Sequence, residues 1–593
     1  MNKKTSVVSL VEIGKNALAM APELPEIAKR LWHLATVTPE SYTSMGQFFE
    51  DRVKRFANQP FLKSNDEVWT YQEANREINR MANGLLEMKV SQGQTVGILA
   101  ENRPEVLFLV LAVAKIGAVS ALLNINQRGQ IQAHSLSLVK PVLLLLGQSG
   151  LEIYQELKEQ HSEALRGVHV ATIDDLPSDS LALDNFQARV RNQPDKYLQH
   201  TATIQAKDPL FYIFTSGTTG FPKASIMSHY RWLAAMNGMG SAVRLKADDV
   251  FYCCLPLYHN NALTVSLGVC LAAGACFAMD PKFSTSRFWS RIRHYRATAF
   301  CYIGELLRYL LNAPASIEDQ NHEVRLITGN GLRPEIWQQF EERFGIHDIF
   351  EFYGASESNL GFMNAFCLKE TAGFSPIPFK IIEVDPDTEE PVRNKRGRCK
   401  AVGRGQVGLL ISKVTRRRPF DGYTDTKANE QKLLRGVFKK NDVWFNSGDL
   451  VRDQGWGHIQ FVDRLGDTFR WKGENVATSE VEAVISQLDW VDQVAVYGVH
   501  IPGADGKAGM AAIRVKPGCQ FDPDELARQV AGQLPSYAGP VFVRLIDKIQ
   551  TTGTHKIQKA QLKKEGFDQS LFRDALYQLE QASGVPEYAL QPI

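Results

Sequence analysis

The sequence predicts an α/β fold: a large N-terminal domain of mostly parallel sheets flanked by helices and carrying a small β subdomain, followed by a small α+β C-terminal domain. Three observations predict it. From about residue 45 to 375, apolar runs of strand length alternate with segments of helix length, the pattern of repeated βα units. Between residues 376 and 462, short strand-like runs separated by glycine and proline take over. Beyond Arg464 the order becomes helix, two strands, helix and strand, which marks a separate domain over residues 465–593.

In chain order, residues 1–44 alternate apolar and charged positions, as in 10–18 and 27–32, and predict an amphipathic helical segment. Its apolar stripe serves either packing against the protein or contact with a membrane surface. The large domain spans 45–464. Residues 95–99 read as a buried strand, Asn102 as the side-chain cap of a helix with Pro104 in its first turn, and 119–123 as the next strand: a βαβ unit. The alternation recurs through 250–255, 262–273, 275–279, 288–295, 298–302, 306–311, 325–328, 335–344 and 349–353, so ligands are expected beyond the carboxyl ends of parallel strands. In the C-terminal domain, helices are expected at 479–488 and 524–534, and strands at 493–499, 509–515 and 541–545.

Composition narrows the function classes. A net charge of +2 offers no argument for a nucleic-acid partner, and the basic clusters at 393–400, 416–418 and 556–564 read as solvated faces. The eight cysteines contain no C-x-x-C pair and lie mostly in apolar surroundings, which speaks against a zinc site or a disulfide framework and for a reducing, cytoplasmic compartment. No secretory signal is read at the N-terminus, and the apolar run 106–123, interrupted by Lys115, fits a buried helix and strand better than a membrane span.

Residues 212–224 pass from an apolar run into Thr215, Ser216, Gly217, Thr218, Thr219 and Gly220, and end near Lys223. Hydroxyl donors, glycines that let backbone N–H groups approach an anion, and a mobile positive charge make a phosphate cradle. Phe221 and Pro222 break the P-loop spacing, so that motif is excluded. An ordinary strand-to-helix loop is the plainer reading of such a cluster taken alone. Residues 403–408 match G-x-G-x-x-G but are followed by a strand-like run, which removes the context of a dinucleotide fingerprint.

Other stretches change the weight given to the cradle. Residues 351–357 put Tyr353, Gly354, Ser356 and Glu357 at a strand's carboxyl end, where a base could stack and a metal be held. Asp449 and Arg464 suit a ribose diol. Lys556 lies on a glycine-containing loop near the C-terminus.

In this order, these stretches resemble the adenylate-forming superfamily of acyl-CoA synthetases, luciferase-like enzymes and peptide synthetase adenylation domains. Residues 283–289, 302–306, 329–333, 420–423, 467–475 and 564–568 look like its fatty acid transport protein, or very-long-chain acyl-CoA synthetase, branch. The resemblance covers roughly 45–575 and implies an ATP-dependent long- or very-long-chain fatty acid:CoA ligase that forms an acyl-adenylate and uses Mg²⁺ and coenzyme A. It implies that Thr215–Lys223 wraps the β- and γ-phosphates of ATP and that Glu357 holds Mg²⁺. Gly329, Asn330, Gly331 and Tyr353 would form the adenine slot, with Gly354 and Ser356 in the same nucleotide motif. Asp449, assisted by Arg464, would hold the ribose, and His259 would border the acyl carboxylate. Lys556 would stabilise charge at the α-phosphate during adenylation. The small domain would be mobile, swinging at 465–467 to present a face near Gly473 to coenzyme A. Gly466 departs from the superfamily's usual Asp or Lys and eases such a swing.

Two alternatives stay open: a ligase for another hydrophobic acid, such as a bile or aromatic acid, and a fatty acid carrier with a vestigial nucleotide site. Localisation is expected to be cytoplasmic, with peripheral contact at the inner face of the cytoplasmic membrane if the N-terminal helices bind lipid.

Overall fold

The computed structural model describes residues 7–174, 183–216, 221–332, 334–385, 388–471, 474–501, 506–551, 557–581 and 588–592. The chain forms two compact units, one of residues 9–375 with 414–433, the other of residues 1–8, 376–413 and 434–593.

The larger unit is α/β, as predicted. One sheet runs in the order Asp184–Asn185, His169–Thr172, Leu143–Leu146, Thr95–Leu99, Val119–Leu122, Pro209–Ser216 and Pro222–Ser228, parallel throughout except for the last pair. In a second sheet, Asp348–Gly354, Leu326–Asn330, Ala299–Ile303, Val250–Cys253, Cys276–Met279 and Pro60–Ser64 are parallel neighbours in that order. Strands buried on both faces are continuously apolar, as in Leu143–Leu146.

The helix Pro104–Lys115 is apolar on every side and buried on every side. Lys115, the one charge of its run, is fully buried, with its ammonium bonded to Glu50, Asn75 and, at 2.6 Å, Asn79. Burial pulls the Lys115 ammonium down to about 8. Asn102 corrects the sequence reading. The helix cap is Arg103, without a side-chain bond. The Asn102 amide instead donates to the Leu255 carbonyl at 2.8 Å and accepts from the Leu257 N–H at 2.8 Å, bracing a distant loop.

The N-terminal segment forms helices Leu10–Ala19 and Leu24–Thr36. One face docks on the larger unit: Met20 and Ile27 pack with Ala242 and Ala365, Asn16 donates to the Phe366 carbonyl at 2.7 Å, and Arg30 binds the Gly240 carbonyl. The opposite side leaves Val11 79%, Leu18 78% and Trp32 69% exposed, together with Leu24 and Leu31. Among the described residues, no helix is long and apolar enough to cross a membrane.

In the other unit, Phe379–Ile382, Val407–Lys413, Val443–Gly455 and His458–Arg464 form an antiparallel sheet. A second sheet, Val491–Val499, Ala508–Val515, Phe542–Leu545, Ala575–Gln581 and Tyr588–Pro592, carries helices Thr478–Ile485 and Pro523–Gln533 around a core that includes Val481, Ile485, Val496, Ile513 and Leu526.

Candidate active site

The stretch singled out in the sequence is the arm of a hairpin, not a strand-to-helix loop. Pro209–Ser216 pairs antiparallel with Pro222–Ser228, with Thr215 opposite Lys223 and Ser216 opposite Pro222. Gly217, Thr218, Thr219 and Gly220, at the turn, lie outside the described residues. The Thr215 hydroxyl donates to the Lys223 carbonyl at 3.4 Å. The Lys223 ammonium lies 5.6 Å from the centroid of the Tyr423 ring, a cation–π contact that leaves it hydrogen-bonding capacity. Residues 422–424 flank the hairpin, with Ile226 N–H donating to Gly422 and Thr424 N–H to Ala224.

Glu357 follows the strand Asp348–Gly354. Its carboxylate is largely buried, 3.7 Å from the Lys432 ammonium. The turn that carries it hangs on Arg231, which donates to the carbonyls of Ser356 at 2.7 Å, Ser358 at 2.6 Å and Ile226 at 2.7 Å. Burial lowers the proton affinity of Arg231, while Asp421 and Glu357 oppose that shift. Arg231 thus ties the hairpin strand to the Ser356–Glu357 turn. Sequence reasoning missed both Arg231 and Lys432, for neither belongs to a recognisable local pattern.

Gly329, Asn330 and Gly331 end the strand Leu326–Asn330, directly beside Asp348–Gly354. Gly331 has φ +86°, and a Cβ on Gly329 would fall 2.3 Å from the Tyr302 carbonyl, so both positions require glycine. Tyr353 and Gly354 end the neighbouring strand, and a Cβ on Gly354 would meet open space. The loop after Val250–Cys253 presents His259, whose ring lies 4.6 Å from that of Tyr258. A wide helical turn, Asn261–Ser266, precedes the helix Leu267–Ala273, and side-chain bonds Thr264 to Asn260 (2.6 Å) and Ser266 to Asn261 (3.1 Å) brace it.

Asp449 and Arg464 lie in the other unit. They oppose each other across the pair Val443–Gly455 and His458–Arg464, with the carboxylate 3.9 Å from the guanidinium. Asp449 is mostly buried while Arg464 is 58% exposed, so the pair presents donors to solvent on one side only. Gly466 follows at φ +90°, and Lys563 donates to its carbonyl at 2.7 Å and to the Asp467 carboxylate at 2.5 Å. Lys556 and Gly473 lie outside the described residues. Among the described residues, no group of three or more His, Cys, Asp or Glu could hold a metal ion. An ion at Glu357 would therefore need substrate oxygens or water to fill its coordination, as Mg²⁺ commonly does.

Twin layers of parallel strands with glycine-rich turns at their carboxyl ends, and a separate α+β region behind them, place the protein among the adenylate-forming enzymes. The fold is that of an anthranilate CoA ligase, AuaEII, solved with anthranoyl-AMP: TM-score 0.76 and 21% identity over 90% of this chain and 98% of that one. The AMP-binding enzyme family matches residues 49–408, its C-terminal domain matches 480–556, and the chain belongs to that family. It is 45% identical over 592 residues to the medium/long-chain-fatty-acid–CoA ligase FadD6 of Mycobacterium tuberculosis, covering 99% of this chain and 97% of that protein. It is 39% identical over 539 residues to long-chain fatty acid transport protein 2 of Rattus norvegicus, covering 89% of this chain and 86% of that protein.

Proposed function

We propose that the protein is an ATP-dependent long- or very-long-chain fatty acid:CoA ligase working through an acyl-adenylate, with release of AMP and pyrophosphate. The observation that supports it most is the near full-length similarity to a medium/long-chain-fatty-acid–CoA ligase. In the first step a fatty carboxylate oxygen bonds to the α-phosphorus of ATP and the bond to pyrophosphate breaks. In the second, the thiolate of coenzyme A attacks the acyl carbon and AMP leaves. The carboxylate is already a nucleophile, so positioning and charge carry the first step.

Residues 215–220 with Lys223 would grip the departing phosphates, and Gly329, Asn330, Gly331 and Tyr353, with Gly354 and Ser356, would seat the adenine. Asp449 would accept from the ribose hydroxyls with Arg464 beside it, and Lys556 would face the α-phosphate. His259 would border the acyl carboxylate. Glu357, steadied by Lys432 and by the Arg231-held turn, would hold Mg²⁺, whose chemistry when bound is neutralisation of phosphate charge. Residues 465–593 would move about Gly466 between the two steps, bringing the face near Gly473 to coenzyme A. The exposed apolar stripe of Val11, Leu18, Leu24, Leu31 and Trp32 supports peripheral contact with a membrane, where long-chain acids reside.

The test is AMP and pyrophosphate release with CoA across saturated acids of increasing length. Turnover that rises with chain length supports the reading. Preference for a bile or aromatic acid would replace it with that ligase, and no AMP from any acid would favour a carrier.

A further inference from the structure

The Glu351 carboxyl lies outside every role assigned above and is buried at the junction of three parallel strands. It sits on Asp348–Gly354, level with Gly329 on the neighbouring strand. Its Oε1 accepts from the backbone N–H of Gly331 and, at 3.1 Å, from that of Leu332. Its Oε2 bonds the hydroxyl of Tyr302, a fully buried side chain on Ala299–Ile303.

The turn so held is tightly wedged. A Cβ on Gly304 would lie 1.9 Å from the Gly331 carbonyl oxygen. Asn261 closes the other side, its amide directed at the Tyr302 carbonyl (3.4 Å) and the Asn330 side-chain oxygen (3.3 Å). Where a strand ends, its next N–H groups lose their ladder partners, and a buried orphan costs about as much as a lost hydrogen bond. A single carboxyl from the adjacent strand satisfies two of them and locks the turn against Tyr302.

We infer that Glu351 is a positioning residue for the nucleotide: it touches no substrate, and it sets the Gly329–Leu332 turn in the shape that receives the base. The inference rests on the proposed adenine slot. It makes ATP binding, rather than acid or CoA binding, the property that Glu351 governs. A glutamine in its place keeps an acceptor for both amides and a donor for the Tyr302 oxygen, whereas alanine keeps neither.

The test is steady-state AMP formation by the full-length enzyme with the KM values for ATP, fatty acid and CoA measured separately. Glu351→Ala should raise the ATP KM by about tenfold or more while the other two KM values and kcat at saturating ATP stay within about threefold. Glu351→Gln should return the ATP KM to within about threefold of the parent. Should the alanine variant fail to fold, Tyr302→Phe, which frees Oε2 alone, should raise the ATP KM by about threefold with the others unmoved. A folded Glu351→Ala with an unchanged ATP KM, or three KM values rising together, would overturn the inference. Gly331→Ala separates the two levels. If it leaves the ATP KM unchanged, the adenine slot falls and the inference with it; if it raises the KM and Glu351→Ala does not, only the inference falls.

Discussion

The Lys563 ammonium donates to the Gly466 carbonyl at 2.7 Å, so a side chain from the helix Ala560–Glu565 clasps the residue proposed as the pivot of the C-terminal region. Lys563 also reaches Asp467, and Lys559, one turn earlier, reaches Glu482 at 2.8 Å and Thr478 at 2.7 Å. Thr478 in turn donates to Asp463, whose carboxyl burial pushes up. The residues on both sides of the proposed pivot are therefore pinned to one short helix.

Gly466 stands at φ +90°, a value closed to proline, whose ring holds φ near about −65°. If the pivot is real, Gly466→Pro should slow one half-reaction by about tenfold or more relative to the other. Separate measurement of pyrophosphate exchange and of thioester formation from supplied acyl-adenylate decides it. Equal losses in both steps would remove the pivot.

Asp449→Ala deletes the carboxylate proposed to accept from the ribose. The ATP KM should rise about 10- to 100-fold, the range expected for a charged hydrogen-bond acceptor, and 2′-deoxy-ATP should discriminate less between variant and parent. An unchanged ATP KM would show that Asp449 serves the sheet alone.

Lys556→Ala should cut acid-dependent pyrophosphate exchange by about 10²- to 10³-fold while sparing thioester formation from a supplied acyl-adenylate. Total loss of both steps in a folded variant would sink the assignment.

Burial pushes the Glu351 carboxyl up to about 8, above its ordinary range. A carboxyl raised in the folded state binds its proton more tightly there than in the unfolded chain. Its contribution is full below the ordinary carboxyl range and is lost as pH rises towards 8. Glu351→Gln carries no such proton, so its melting temperature should gain on the parent's between pH 5 and 8. A constant difference across that window would refute the shift.

Leu18→Glu with Trp32→Glu should lower co-sedimentation with lipid vesicles by about tenfold and leave AMP formation from a short, soluble acid unchanged, because both side chains face away from the docked surface. Unaltered vesicle binding would rule out the N-terminal stripe as the contact.

Local pattern made much of this molecule legible. The apolar runs at 95–99, 119–123 and 349–353 became buried parallel strands, because a strand covered on both faces has no polar side to show. The glycines at 329 and 331 stood out because no other residue tolerates their backbone or their neighbours. Asn102 misled: its residue type suits a helix cap, and the competing partner is a loop 153 residues away. The cradle was also given the wrong connection. A strand-to-helix turn and a hairpin tip share the same glycines and hydroxyls, and only pairing with Pro222–Ser228 distinguishes them.

The sequence by itself determined the order of chemistry along the chain, the α/β class and the positions where a side chain would be excluded, since each follows from periodicity or from local backbone demand. Tertiary structure alone decided that Arg231 carries the Glu357 turn, that Lys432 faces Glu357 and that Glu351 serves a turn on the next strand. The physical reason is one and the same. A hydrogen bond between residues far apart in sequence depends on which strands become neighbours, and neighbour choice is set by the burial of whole sheets, not by the residues that later share the bond.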